Sequence, residues 1–142
     1  MLTLSKSTRY ALYATMEMAR AAGDGHVTAA EVAGRYKIPP SVLAKVFQQL
    51  VRSGLARGSR GSGGGYRLAR AAGEITVLEV MRAFQPPNGA VPSAAGEPAA
   101  AAPLTRLLDE VAELARCTFA SVTLETLTRT ARPVHRVPSA GR

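Results

Sequence analysis

Residues 57–70, R-G-S-R-G-S-G-G-G-Y-R-L-A-R, constrain this chain more than any other stretch. A glycine-rich tip sits between two short arms carrying Arg57, Arg60, Arg67 and Arg70. Glycine lets a backbone turn tightly and approach another surface closely. Arginine forks match phosphate oxygens and guanine edges. The stretch follows an amphipathic helical pattern that stops at Gly54. A helix followed by a basic, glycine-tipped hairpin is the layout of a winged helix-turn-helix, a fold built to meet nucleic acid.

The charge distribution agrees. The chain of 142 residues carries 18 Lys and Arg against 10 Asp and Glu, a net +8. Residues 1–70 hold eleven of the bases and three of the acids, and residues 71–142 hold seven of each, so the whole excess lies in the first half. A one-sided basic domain is an electrostatic footprint for a polyanion, here double-stranded DNA.

Periodicity places the remaining elements. Residues 5–22 read as a helix, with Leu12, Met16 and Ala19 at helical spacing and Gly23 to stop it. Thr28 and Glu31 have the spacing of a capping box, opening a short helix that ends near Tyr36. Pro40 suits the first turn of a third helix. On that helix Leu43, Val46, Phe47 and Leu50 form a core stripe. Ser41, Lys45, Gln48 and Arg52 cluster on the opposite face, flanked by Val42 and Ala44. That outer face is polar and free of acids, where a merely solvated helix mixes both signs. It is the expected recognition helix. Leu55 is expected to begin the first wing strand, and Thr76 with Glu79 makes a second capping box, for a helix to about Phe84.

Residues 85–103 are almost entirely Pro, Gly, Ala and Ser, with Glu97 the single charge, and read as a linker. From Leu104 to about Val122 a long amphipathic helix carries Leu104, Leu107, Leu108, Val111, Leu114, Phe119 and Val122. Its wide apolar stripe suits packing against the same helix of a second chain. Residues 123–127 look like a fresh short turn, and the basic tail 131–142 is expected to be disordered. The expected class is mainly α with a small β-hairpin wing. Residues 1–84 form the winged helix-turn-helix, 85–103 a linker, and 104–130 a dimerisation helix with its terminal turn.

Several segments resemble one family of bacterial regulators. They are Leu4-Ser5-Lys6, Arg9-Tyr10-Ala11, Arg52-Ser53-Gly54-Leu55, Arg60-Gly61, Gly64-Gly65-Tyr66-Arg67-Leu68 and Ile75-Thr76-Val77-Leu78-Glu79-Val80. The pattern is similar to the Rrf2 family of winged-helix transcriptional regulators, the IscR/NsrR/CymR-like proteins. The likeness covers residues 2–85 and resumes over 104–128, where residues 122–127 look like the family's terminal motif. The resemblance implies a homodimeric transcription factor, usually a repressor, acting on an imperfect palindrome. Lys6, Arg9, Thr28, Ser41, Val42, Ala44, Lys45, Gln48, Arg52, Arg57, Arg60, Gly61 and Arg67 are the expected DNA-facing residues. Some relatives carry a carboxylate on helix three where this chain has Ala44, which implies an altered sequence preference.

Many members of that family sense through an iron–sulfur cluster held by three cysteines. The corresponding region here, residues 85–103, has no Cys and no His. No cofactor is expected, and the resemblance points to a cluster-free branch answering to a partner protein, a small ligand or simple occupancy. The single Cys117 falls on the polar side of the long helix, near Arg106, Glu110 and Glu113, and reads as a tolerated small side chain. One cysteine also excludes an intramolecular disulfide and fits a reducing cytosol. No signal region or membrane-length apolar run is visible, so a cytoplasmic protein is expected. His26 and His135 give no metal pair. The glycine run lacks both the Lys-Ser/Thr of a P-loop and the dinucleotide spacing, and no nucleophile-and-base set appears, so no enzyme is expected. Two rival readings stay open: a ligand- or redox-responsive regulator with a pocket between dimer helix and wing domain, and a loosely specific architectural DNA binder or interaction module.

Overall fold

The computed structural model describes residues 4–23, 25–61, 63–85 and 98–129. Its order is α1 (Lys6–Arg20), α2 (Ala29–Tyr36), α3 (Pro40–Arg52), β1 (Ala56–Ser59), β2 (Gly65–Leu68), α4 (Val77–Ala83), α5 (Ala102–Ser121) and α6 (Leu124–Arg129). Helices therefore dominate, with one two-stranded antiparallel hairpin. The described residues include no helix long and apolar enough to cross a membrane.

Each helix start has a local cause. The Ser5 hydroxyl accepts the Thr8 N–H at 3.1 Å and caps α1. Thr28 and Glu31 form the reciprocal box at α2: the Thr28 N–H donates to Glu31 Oε2 at 2.8 Å, and the Glu31 N–H donates to Thr28 Oγ1 at 3.2 Å. Thr76 and Glu79 repeat it at α4, at 2.9 and 3.2 Å. Pro40 opens α3, where it leaves no internal N–H unsatisfied. Between α2 and α3 the chain turns through Lys37 at φ 54, a left-handed conformation that lets Ile38 drop into the core.

The core lies where α1, α3 and α4 converge. Leu43, Phe47, Leu50, Ile75, Val80 and Val32 are almost wholly buried, as the stripe on α3 requires. Tyr66 of β2 stacks on Phe47 with ring centroids 4.3 Å apart, fixing the hairpin against α3. The segment before α2 adds a third rung: Val27 and Tyr66 exchange both backbone hydrogen bonds, at 2.9 and 2.8 Å.

Three boundaries differ from the sequence reading. Helix α1 is shorter at both ends than 5–22, the first wing strand begins at Ala56, and α5 starts at Ala102, inside the stretch read as linker. The linker residues 86–97 and the tail 130–142 lie outside the described residues. The larger difference is at the end of α5. Of residues 123–127, read as a short turn, all but Thr123 belong to α6, whose Leu124 is fully buried. The Val77 N–H donates to Val122 O and the Leu124 N–H to Ile75 O, both at 2.9 Å, so the chain returns to the winged-helix core after α5.

Candidate nucleic-acid interface

The outer face of α3 is laid out as its periodicity requires. Ser41, Val42, Lys45, Gln48 and Arg52 are exposed, and Ala44 is half-buried. The wing stands beside the C-terminal half of this helix. Gln48, Val51 and Arg52 of α3 face Gly58, Ser59, Arg60, Gly65 and Tyr66 across an open groove of about 490 Å³. The tip that carries Arg60 needs its glycines. Gly61 sits at φ +104, and a Cβ on Gly64 would lie 2.4 Å from the Ser59 carbonyl oxygen. Neither position admits a side chain without moving the tip.

The hairpin register divides the wing arginines. Arg57 pairs with Arg67, and Gly58 with Tyr66. Paired residues share a face and faces alternate along a strand. The Gly58–Tyr66 face packs on Phe47, so Arg57 and Arg67 point to the side away from α3. There they border a separate depression with Met18, Gly23, Gly25 and Arg70. Arg60 thus converges with Gln48 and Arg52, whereas Arg57 and Arg67 form a second basic face. Two like charges opposite each other across a hairpin repel.

The cations fall into two groups. Arg20 and Arg35 are held by Glu17, and Arg70 by Glu79 at 2.6 Å and by the Glu74 carbonyl oxygen at 3.2 Å. Lys6, Arg9, Lys37, Lys45, Arg52, Arg57, Arg60, Arg67, Arg82 and Arg106 have no ion-pair partner among the described residues. Lys6 and Arg9 are exposed on the first turns of α1. Thr28 is half-buried, and both its hydroxyl and its N–H are taken up by the α2 capping box.

One structural group was not foreseen. Glu17 is 7% exposed on α1. It accepts from Arg20 at 2.5 Å, from Tyr36 Oη at 2.8 Å and from Arg35, while Tyr36 stacks on Tyr13 at 4.5 Å. Partial burial and the bond to Glu17 push the Tyr36 phenol up from its ordinary value. The group fastens the end of α2 to α1. Only the i,i+3 partner Arg20 was visible as a local pattern.

Helix α5 presents an apolar face to solvent. Leu104, Leu107, Leu108, Val111 and Leu114 are 53–69% exposed. Phe119 and Val122, read from sequence as part of the same stripe, instead pack partly against the chain's own core. The helix passes α4 at the point where it turns back toward α6. Cys117 is exposed, its Sγ 3.7 Å from Glu113 Oε1, and Glu113 is also gripped by Arg116. The hydrogen bond from Arg116 holds the Glu113 carboxyl below the usual carboxylate range. Among the described residues no three His, Cys, Asp or Glu side chains come together as a metal site.

Comparison with known proteins gives one consistent answer. The family model for Rrf2, described as an iron-dependent transcriptional regulator, matches residues 4–130. The HTH-type regulator named BadM from Rhodopseudomonas palustris is 36% identical over 125 residues, 87% of this chain and 80% of that protein. The HTH-type transcriptional regulator IscR of Cereibacter sphaeroides is 41% identical over 95 residues, 66% of this chain and 61% of IscR. Against IscR of Xenorhabdus nematophila the match spans 49% of the relative, so this chain covers only about half the length of several curated relatives. The solved structure of CymR, the global cysteine regulator of B. subtilis, superposes with a TM-score of 0.74 at 29% identity, covering 91% of this chain and 98% of CymR.

Proposed function

The chain belongs to the Rrf2 family of transcriptional regulators, and from that premise we propose that it works as a homodimeric, sequence-specific DNA-binding repressor in the cytoplasm, without the family's iron–sulfur site. The observation that carries this reading is the groove in which Gln48 and Arg52 of α3 face Arg60 of the wing. A helix presenting polar, acid-free side chains beside a basic hairpin suits a major groove and its neighbouring minor groove.

In this reading residues 1–84 are the DNA-binding domain. Ser41, Lys45 and Gln48 reach base edges, with Val42 and Ala44 at their flanks and Arg52 on the backbone. Arg60, held out by the Gly61 turn, enters the minor groove. Arg57 and Arg67, on the far face of the hairpin, take phosphates of the opposite strand. Lys6, Arg9 and the α2 N-terminus at Thr28 clamp the backbone at the other side of α3. The exposed leucines of α5 pair two copies, so the operator is an imperfect palindrome.

An iron–sulfur cluster does not fit this chain's donors. Such clusters need several thiolates or imidazoles. Residues 85–103 supply neither, and the sole thiol, Cys117, is exposed on α5 beside Glu113. In this reading activity is set by a partner protein, a small ligand or simple occupancy of the site.

Footprinting of the purified protein across its own promoter and the neighbouring genes tests the reading. A protected site with two related halves supports it. Equal affinity for selected and random duplex would leave a loosely specific binder in its place.

A further inference from the structure

Outside α5, the described residues expose only two large apolar side chains, Val42 at 40% and Val51 at 39%, and both stand on α3. Val51 lines the groove shared with the wing. Val42 does not. It is the third residue of α3, next to Ser41 and one turn before Lys45, in the part of a recognition helix that lies closest to base edges. A β-branched side chain in a helix holds essentially one χ1 rotamer, so this isopropyl group is a rigid apolar projection on a polar face.

In the major groove the edges of three of the four bases offer only donors and acceptors. Thymine alone adds an apolar group, its 5-methyl. The exposed face of α3 also has no carboxylate to accept from a cytosine amino group. We propose that Val42 is a specificity-determining residue that packs on the 5-methyl group of one thymine in each half-site. This rests on the DNA-binding reading above and gives it a base identity: the pair facing the first turn of α3 is T·A.

The test removes the methyl from either side. Once a half-site is defined by footprinting, each of its thymines is replaced in turn by deoxyuridine, which changes nothing but the methyl. One position per half-site should lose about fourfold in affinity, the ~0.8 kcal/mol of one buried methyl group expressed as a ratio. Val42→Ala removes the contact from both half-sites, so it should bind the thymine operator about 16-fold more weakly, the square of the single-methyl factor, and no longer distinguish thymine from deoxyuridine there. It should keep its penalties for changes at other base pairs. Alanine is the better helix former and the site is exposed, so the fold is retained. Absence of any deoxyuridine-sensitive position overturns the proposal, as does sensitivity that survives in Val42→Ala. Sensitivity that survives there but vanishes in Val51→Ala moves the contact to the groove and overturns the assignment to Val42. A wild-type protein that does not distinguish its promoter from random duplex removes the DNA-regulator reading itself, a result separate from all of these.

Discussion

Replacing Leu107 and Leu114 by glutamate tests the assembly. Five large apolar side chains on α5 are 53–69% exposed in the single chain. Fully burying a Leu or Val contributes roughly 1.5–3 kcal/mol, so burying the exposed remainder is worth about 1 kcal/mol or somewhat more each. A two-fold interface uses the set twice, for a gross gain of about 10–15 kcal/mol. The double substitution removes four of the ten side chains and puts four carboxylates in their place. The loss should be about 4 kcal/mol or more, a weakening of dimerisation by at least ~1,000-fold. Sedimentation velocity at micromolar concentration should show dimers for wild type and monomers for the variant. Circular dichroism should show the variant folded, because neither leucine contributes to the core. A wild-type monomer that binds its operator tightly, or a variant that stays dimeric, would rule out the leucine interface.

Other outcomes follow from the two faces of the wing and from the caps. Arg60→Ala should lose roughly 1–3 kcal/mol on the operator and relax the sequence preference, measured by competition against base-substituted duplexes. Arg57→Ala and Arg67→Ala should each flatten the plot of log affinity against log salt by about 1.8, about 0.9 per half-site, without changing base preference, and Lys6→Ala should do the same. An unchanged slope would remove these side chains from the phosphate set. Thr76→Ala should destabilise the fold by about 1 kcal/mol in denaturant unfolding. Partial burial acts to raise the Glu79 carboxyl, but its bonds to Thr76 and Arg70 outweigh that and hold it below the ordinary carboxylate value. Its contribution is therefore complete above that value and is lost as pH falls through the depressed one, so Thr76→Ala should flatten the acid limb of the stability profile.

The sequence made α3 legible because an aliphatic stripe at Leu43, Val46, Phe47 and Leu50 has one helical solution. The capping boxes were legible because both partners lie within four residues. What escaped depends on contacts between distant residues or on register. Glu17 sits on α1 as an acid with no local reason to be buried, and two of its three partners are 18 and 19 residues away. Arg70 reads as another wing cation until its pairing with Glu79 is seen. The separation of Arg57 and Arg67 from Arg60 follows from hairpin register, which a glycine-rich turn specifies weakly and which a one-residue slip would invert. Phe119 and Val122 share the stripe of Leu107 in a helical count. Only the return of the chain through Leu124 shows that they face inward.

The absent thiolates have a consequence that oxygen exclusion can test. A dimer of this chain holds two cysteines, one Cys117 on each α5. Cys117 lies to the side of the exposed leucine stripe, one turn on from Glu113, whose Oε1 its Sγ meets. A dimer joined through the leucine face therefore keeps its two thiols off the seam, where they cannot jointly hold a cluster. Protein purified anaerobically should be colourless, free of stoichiometric iron and able to bind its operator. Cys117→Ser should bind DNA like wild type in oxidising and in reducing buffer. An iron–sulfur absorption band in the anaerobic protein that disappears in Cys117→Ser would mean that the two α5 helices meet on the Glu113 side, and the leucine interface would fall with the cluster-free reading.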